Sequence, residues 1–265
     1  LQTNYLSGGD QTAANNLENP TTSVSYFFLA SVDVHNYYDR PVIATLGDSI
    51  MDGDQVSSAE PVDENVRFSN LLANAIVANG KQAGVANLGI SGNQVTQSFL
   101  GENPQARFNR DILSLSGVTH VLFLEGINDI GLPGLLNLIG IPAGEISAEQ
   151  IISGHQQIAA RIRASGLVAI GGTLTPSGGF PLPAYFGEAA EAKRQSVNEW
   201  IRTSGAYDVV IDFDAVLRDP ENPALMRADL TADGLHPNTA GYKAMADAAF
   251  GGLAAQLPSA QYEGF

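Results

Sequence analysis

Strand-like and helix-like segments alternate from Pro41 almost to the end of the chain, and this alternation restricts the possible folds most strongly. It is typical of a parallel sheet whose strands are joined by crossover helices. The predicted strands are residues 42–46, 84–88, 119–124, 167–172 and 208–213. The predicted helices are residues 67–79, 105–114, 148–165, 188–204 and 239–254. We therefore predict an α/β protein with a mainly parallel five-stranded sheet.

The composition is that of a folded globular protein. The 265 residues are 44% hydrophobic and 15% charged, which is enough apolar material for one large α/β domain with a sizeable core. We place that domain at residues 41–258, followed by a C-terminal tail at 259–265. Residues 1–40 are predicted to be an N-terminal arm or the end of an upstream β region.

One strand is predicted within the N-terminal region, over Tyr26–Val34. Its apolar residues Phe27, Leu29 and Val32 would face inward in such a strand.

Charge and cysteine content exclude several function classes. Asp and Glu number 28 against 13 Lys and Arg, a formal net charge of -15. Nucleic acids and anionic membranes need a basic surface, so neither is an expected partner. No apolar stretch is long enough to span a membrane. The chain has no cysteine, which excludes disulfides, thiolate metal sites and cysteine nucleophiles.

Three short polar segments carry residue types that hydrolytic chemistry uses. Gly47-Asp48-Ser49 and Gly126-Ile127-Asn128-Asp129 each follow a predicted buried strand, and Asp233-Gly234-Leu235-His236 precedes the last helix. In open α/β sheets ligands bind outside the carboxyl ends of the strands. The first two segments are therefore expected at one edge of the sheet.

Ser49, His236 and Asp233 are the candidate nucleophile, base and orienting carboxylate. A serine hydroxyl needs a base to take its proton, and that base must be oriented and stabilised as a cation. Of the four histidines, only His236 has a carboxylate close by in an irregular stretch. The alternatives are an ordinary serine in a strand-to-helix turn and an ordinary helix-entry loop. His155 lies on an apolar helical stripe and His120 begins a buried strand, so both are predicted to be buried.

Hydrolysis also needs hydrogen-bond donors aimed at the developing oxyanion. The backbone N–H of Ser49, the side-chain amide of Asn128 and the backbone N–H of Gly92 are the candidate donors. Gly89 lies in the same loop as Gly92 and is the alternative to it. Gly and Asn are also the usual turn formers, so a purely structural role is the competing interpretation for each.

The chain resembles the GDSL esterases, also called SGNH hydrolases. Its matching blocks are Gly47-Asp48-Ser49-Ile50, Gly92 in Ile90-Ser91-Gly92-Asn93, Gly126-Ile127-Asn128-Asp129 and Asp233-Gly234-Leu235-His236, in the family's order. Ile50 replaces the Leu of the family name. The resemblance implies a flavodoxin-like three-layer α/β/α sandwich and hydrolysis through an acyl-enzyme, without a metal or other cofactor. The segments 125–131 and 191–195 are similar to a bacterial branch in which an N-terminal β region often precedes the hydrolase domain.

Two apolar Gly/Pro-rich segments, residues 131–147 and 173–187, follow strands and are expected to overhang the same edge of the sheet. They are either the walls of a substrate pocket or a satellite core beneath long loops. The candidate substrate-binding residues are Asp48, Leu135, Leu138, Ile139, Phe180, Tyr185 and Phe186.

Three functions are considered. The first is a serine hydrolase for short- to medium-chain carboxylic esters, and the second is a carbohydrate O-acetyl esterase. The third is a non-catalytic binding domain, which would not require an intact triad. The expected partner is thus a small-molecule or glycan ester, and a secreted or periplasmic location is expected. The oligomeric state is not indicated.

Overall fold

A computed structural model describes residues 2–27, 31–35, 40–54, 62–182 and 186–260. The strands are β1 (Asn4–Leu6), β2 (Thr21–Ser23), β3 (Val42–Gly47), β4 (Gly84–Gly89), β5 (Val118–Leu124), β6 (Val168–Gly172) and β7 (Val209–Ile211). The helices are α1 (Ser49–Asp52), α2 (Phe68–Ala78), α3 (Pro104–Phe108), α4 (Ile127–Leu138), α5 (Ala148–Ala164), α6 (Glu188–Thr203), α7 (Phe213–Leu217) and α8 (Thr239–Leu253). A π-helical turn, Asn109–Leu113, continues α3.

The main sheet has five parallel strands in the order β4-β3-β5-β6-β7. Gly47, at the end of β3, pairs with Gly89 of β4 and with Leu124 of β5. The three strands therefore end at the same level, and the segments that follow them start side by side. This confirms the predicted α/β fold with a parallel five-stranded sheet.

The strand order also determines where the helices lie. The chain moves from β3 to β4 in one direction and from β5 to β7 in the other, and parallel crossovers are right-handed. The first crossover helix, α2, therefore covers one face of the sheet together with α8, against which it packs. The later crossover helices, α3, α5 and α6, cover the opposite face. The direction reverses between β3 and β5, and α/β sheets of this order bind their ligands at that reversal.

The core lies on both faces of the sheet. β3 and β5 are continuous apolar runs, as expected of strands covered on both faces, and Ile43, Leu46 and Phe123 have no exposed surface. Helix α5 begins with a reciprocal capping box in which Ser147 and Gln150 bond each other's backbone N–H. Side-chain caps also begin α3 and α8, at Asn103 and Asn238, whereas α2 and α6 have none.

The predicted N-terminal strand is wrong for the residues that the structure describes. Tyr26, Phe27 and Val32 belong to no strand, and the side chains of Phe27 and Val32 are 62% and 77% exposed. Leu29 lies outside the described residues. The regular structure of this region is instead the antiparallel pair β1–β2. An alternating apolar pattern forms a strand only where a partner strand supplies hydrogen bonds, and no such partner strand exists among the described residues.

The prediction that residues 131–147 form a loop is also wrong in its first half. Helix α4 begins at Ile127 and continues through Gly131 and Pro133 to Leu138. Proline in a helix interior removes one hydrogen bond and is usually a helix breaker. Here the first turns of α4 are buried as far as Pro133, and tertiary packing outweighs the local preference. The short helices α1 and α7 were not predicted.

Gly89 should tolerate no side chain, because a Cβ atom there would lie 2.0 Å from the backbone N of Asp52 in α1. We expect Gly89→Ala to lower the free energy of unfolding by about 1–3 kcal/mol. Gly251→Ala is the matched control, since this exposed α8 position has no atom within 4 Å of the added Cβ. It should raise stability by about 0.4–1 kcal/mol. Equal melting temperatures for the two variants would contradict this packing.

Candidate active site

Ser49 lies at the first position of α1, immediately beyond the end of β3. The Asp48 side chain caps this helix by accepting the backbone N–H of Ile50 at 3.0 Å. The turn is tight because Gly47 has no side chain, and a Cβ atom there would lie 2.2 Å from the carbonyl O of Leu124. The turn therefore presents the Ser49 hydroxyl at the sheet edge, where the residue is 5% exposed.

The structure brings Ser49, His236 and Asp233 into one hydrogen-bonded chain. The Ser49 Oγ lies 3.0 Å from the His236 Nε2, and the His236 Nδ1 lies 2.7 Å from the Asp233 Oδ2. Ser49 and His236 are 187 residues apart in the chain. Nδ1–H donates to the carboxylate, so Nε2 faces the serine hydroxyl as an acceptor. This arrangement can remove the hydroxyl proton when Ser49 attacks an electrophile.

The turn that carries Asp233 and His236 is fixed by hydrogen bonds within it and by close packing against Gly179. The Asp233 Oδ1 accepts the backbone N–H groups of Leu235 and His236 at 2.9 and 2.7 Å. Gly234 has a φ of 82°, and a Cβ atom there would lie 2.3 Å from the backbone of Gly179. Only glycine fits at this position. The segment after β6 therefore packs directly on residues 233–236, called the acid–base turn below after the roles predicted for Asp233 and His236. This agrees with the position predicted for residues 173–187.

The electrostatics keep Asp233 ionised. Burial alone would raise the pKa of this carboxyl, but the hydrogen bonds from the His236 ring and from the His236 and Leu235 backbone outweigh it and lower the pKa. An ionised Asp233 holds the Nδ1–H tautomer and stabilises the imidazolium that forms when Nε2 takes a proton.

The candidate oxyanion donors Gly92 and Asn128 are linked through the turn that follows β4. Gly92 has a φ of 77° in the turn after β4, which favours glycine. The Asn128 Nδ2–H donates to the backbone carbonyl of Asn93 at 3.0 Å, so the amide is fixed against this turn. Gly89 is the last residue of β4 and packs beneath α1. The geometry therefore favours Gly92 over Gly89 as the backbone donor.

Asp129 is a residue whose function the sequence analysis missed. Its carboxylate is fully buried and accepts the backbone N–H groups of Val95 and Thr96 at 2.8 and 2.9 Å and the Thr96 hydroxyl at 2.6 Å. Asp129 thereby ties the segment after Gly92 to helix α4. Its place beside Asn128 in the Gly-Ile-Asn-Asp block was the available signal.

The sequence profile of the GDSL-like lipase/acylhydrolase family matches residues 45–244, three quarters of the chain. The chain belongs to this family. A comparison with curated protein sequences found no match.

Solved structures share the fold at low sequence identity. A GDSL-like lipase from Bacteroides thetaiotaomicron is 19% identical, with a TM-score of 0.59 over 83% of this chain and 90% of that chain. A carbohydrate acetylesterase from Sinorhizobium meliloti is 15% identical, with a TM-score of 0.60 over 82% of this chain and 99% of that chain. An aryl esterase from M. smegmatis is 15% identical, with a TM-score of 0.61 over 82% of this chain and 100% of that chain.

Two of the predicted substrate-binding residues of this GDSL-family chain are far more exposed than pocket walls would be. Leu138 and Ile139 are 66% and 61% exposed at the end of α4. Leu138 lies ten residues beyond Asn128, about 15 Å along the helix axis. This exposure argues against a pocket wall at these two residues, and their role in substrate binding stays a prediction. Leu135, one turn earlier, is half-buried.

Asp48, also predicted to contact substrate, has its side chain turned inward as the cap of α1 and is 1% exposed. Phe180 and Phe186 are half-buried, contact each other edge to face at 5.9 Å and pack against the core. Phe180 follows Gly179, which contacts the acid–base turn. Tyr185 lies outside the described residues.

His155 and His120 are buried, as predicted. The His155 Nε2–H donates to the carbonyl of Glu125 at 2.8 Å, and its Nδ1 accepts the Tyr207 hydroxyl at 2.7 Å. Burial lowers the pKa of His155 to about 4, so the ring is neutral. Within the described ranges, no three His, Asp or Glu side chains are grouped so that they could hold a metal ion. No described helix is long and apolar enough to cross a membrane.

Glu125 was also not predicted from the sequence, and its carboxyl group is fully buried near Asp48. Neither carboxyl oxygen has a hydrogen-bond partner among the described residues. Burial, reinforced by the neighbouring Asp48, raises the pKa of Glu125 far above its ordinary value, and Arg107 opposes the shift. Burial likewise raises the pKa of Asp48 to about 7, against the Ile50 N–H bond, which lowers it.

Glu125→Gln should therefore stabilise the fold at high pH. A carboxyl whose pKa is raised on folding stabilises the folded state only at low pH, and this contribution is lost as pH rises above the unfolded pKa. We expect the variant to melt above wild type at pH 8, by roughly 2–4 °C for each kcal/mol of the difference. The difference in melting temperature between the variant and wild type should become smaller towards pH 4. A gap that widens as pH falls would contradict the raised pKa.

Proposed function

We propose that this protein is a serine hydrolase for short- to medium-chain carboxylic esters and acts through an acyl-enzyme. Its membership in the GDSL family supports ester hydrolysis. The observation that carries the catalytic assignment is the hydrogen-bonded chain from Ser49 through His236 to Asp233. A domain that only binds ligands has no need of a serine held 3.0 Å from an imidazole acceptor.

In the acylation step, the Ser49 Oγ attacks the ester carbonyl carbon while the His236 Nε2 takes the hydroxyl proton. The carbonyl oxygen becomes an oxyanion. The Ser49 and Gly92 backbone N–H groups and the Asn128 amide are the proposed donors to it. When the tetrahedral intermediate collapses, the bond to the alkoxy oxygen breaks and the imidazolium returns its proton to that oxygen. The alcohol leaves, and Ser49 carries the acyl group.

Deacylation repeats the sequence with water as the nucleophile. His236 takes a proton from water as the water oxygen attacks the acyl carbon, and the oxyanion forms again in the same place. Collapse breaks the bond to the Ser49 Oγ, which regains the proton from His236. The acid is released and the site returns to its starting state. Asp233 stays ionised throughout and stabilises the imidazolium in both halves of the reaction.

A carbohydrate O-acetyl esterase is the second candidate. It uses the same chemistry, and both a carbohydrate acetylesterase and an aryl esterase are structurally similar to this chain. The fold does not decide between the substrates. Phe180, beside the acid–base turn, offers an aromatic surface that suits either a sugar ring or an acyl chain. The aliphatic character of the neighbouring segments favours simple esters, and we expect a secreted or periplasmic location.

Ser49→Ala should remove nearly all turnover and leave the fold intact, because loss of a triad serine costs several orders of magnitude in kcat. Labelling by a fluorophosphonate probe measures the activated serine directly, and wild type should react while the variant does not. Ser91→Ala, in the nearby exposed turn, is the matched control and should label like wild type. Retention of more than a few per cent of wild-type kcat in Ser49→Ala would refute the assignment.

Substrate class is tested by measuring kcat/KM on p-nitrophenyl esters from acetate to decanoate in parallel with acetylated polysaccharides. Each methylene buried in an acyl pocket should raise kcat/KM roughly fourfold, from about 0.8 kcal/mol, until the wall is reached. Phe180→Ala should shift the preferred chain length. Leu138→Ala should change neither the profile nor the melting temperature, because its side chain is exposed.

Two results would change this assignment. If acetylated polysaccharide is hydrolysed far faster than any simple ester, the second candidate replaces the first. If Phe180→Ala and Phe186→Ala melt early yet keep the wild-type chain-length profile, both rings are core residues, and another surface sets specificity.

A further inference from the structure

Arg107 is a buried cation that contacts the segments carrying the proposed oxyanion donors. It lies on α3 and is 1% exposed, although arginine is almost never fully buried without partners. It lies outside every sequence block that carries the proposed chemistry. Its role must therefore be inferred from the groups that it contacts.

The Arg107 guanidinium donates to atoms of three separate segments. One terminal nitrogen donates to the carbonyl of Leu88 at 2.7 Å, near the end of β4. The other donates to the carbonyl of Gly47 at 3.1 Å and to the side-chain oxygen of Asn93 at 3.0 Å. Asp111, at 3.2 Å, is its carboxylate partner. One planar group thus joins the ends of β3 and β4 to the turn that follows β4.

Two of these partners, Gly47 and Asn93, lie next to the proposed oxyanion donors in the chain. Gly47 lies two residues before Ser49, whose backbone N–H is one donor. Asn93 follows Gly92, whose N–H is the second donor. The Asn93 carbonyl accepts the side-chain amide of Asn128, which supplies the third. Asn93 has no exposed surface, and its side-chain amide also donates to the carbonyls of Leu100 and Glu102.

We infer that Arg107 is a positioning residue that holds the three oxyanion donors in a common geometry, and this rests on the proposed function. Donors stabilise an oxyanion only if they are already aimed at its position before the reaction. The guanidinium suits this task because its donors form a rigid planar fork. A flexible ammonium group cannot hold three acceptors in one plane.

The experiment compares Arg107→Met, Arg107→Lys and Arg161→Met. Arg161, on α5, anchors the α3 region through the Gln105 side chain at 3.1 Å and the Asn109 side chain at 2.9 Å, but it contacts neither strand end nor Asn93. It is therefore a matched control for general loosening of α3. All variants are assayed well below their melting temperatures.

Arg107→Met should lower kcat by roughly 10- to 100-fold and change KM less than about threefold, since misplaced donors weaken the transition state alone. Arg107→Lys should recover part of the loss, and Arg161→Met should keep kcat within about twofold of wild type. A wild-type kcat in Arg107→Met, or a loss confined to KM, overturns the inference.

A double mutant separates positioning from general destabilisation. Asn128→Ala alone should cost roughly 10²–10³ in kcat. If Arg107 acts through the oxyanion donors, Arg107→Met should lower kcat by a clearly smaller factor in the Asn128→Ala background than in the wild-type background. Two losses that simply multiply would overturn the inference.

A crystal structure of Arg107→Met gives a readout that does not need catalysis. We expect Asn93 and the Asn128 amide to move relative to Ser49 in the variant, and an unmoved Asn93 would overturn the inference. If wild type neither hydrolyses esters nor reacts with the fluorophosphonate, the proposed function fails. The position of Asn93 in the variant still decides the role of Arg107.

Discussion

The close contact of α1 with the ends of β3 and β4 is the constraint on which the rest of the site depends. The contact exists only because Gly47 and Gly89, paired in register, have no side chains where α1 lies against the sheet. Ser49 is the first residue of that helix, so its position follows from backbone packing and not from flexible side-chain contacts. For the nucleophilic role that we propose for Ser49, this placement means little reorganisation during the reaction, and preorganisation of this kind accounts for a large share of catalytic power in enzymes.

The buried charges behind Ser49 fit the chemistry that we propose for it. Burial raises the pKa of Asp48 to about 7 and that of Glu125 well above its ordinary range, so both carboxyls bind a proton more readily than an exposed acid does. A protonated carboxyl adds no negative charge near the place where an oxyanion develops. Asp233 has the opposite environment, because hydrogen bonds lower its pKa and keep it anionic beside His236. Apolar burial thus raises the pKa of Asp48 and Glu125, whereas hydrogen bonds keep Asp233 ionised for its proposed role beside His236.

Local patterns predicted the five main-sheet strands to within two residues at each end, because buried parallel strands are strongly apolar and their connections contain amphipathic helices. The Ser49, Asn128 and Asp233–His236 segments were recognisable because each is a short contiguous block. Patterns failed where tertiary contacts decide the outcome. Pro133 argued against the helix that packing maintains, and nothing in the local pattern indicated that Leu138 is exposed. Arg107 gave no local signal, because its partners are distant in sequence.

Two buried arginines donate hydrogen bonds to backbone carbonyls at the ends of main-sheet strands. Buried backbone carbonyls need hydrogen-bond donors. Arg107 donates to the carbonyls of Gly47 and Leu88. Arg194, also 1% exposed, donates at 2.8 Å to the carbonyl of Leu174 just beyond β6, and its charge is paired with the fully buried Asp214 at 2.7 Å. Removing one member of such a buried pair typically costs about 3–5 kcal/mol. Each guanidinium adds a charged donor to a carbonyl that has a second protein donor, since Gly47 also accepts the Ile90 N–H at 3.0 Å and Leu174 the Asn198 side-chain amide at 2.8 Å. Helices α3 and α6 are thereby tied to the ends of the main-sheet strands.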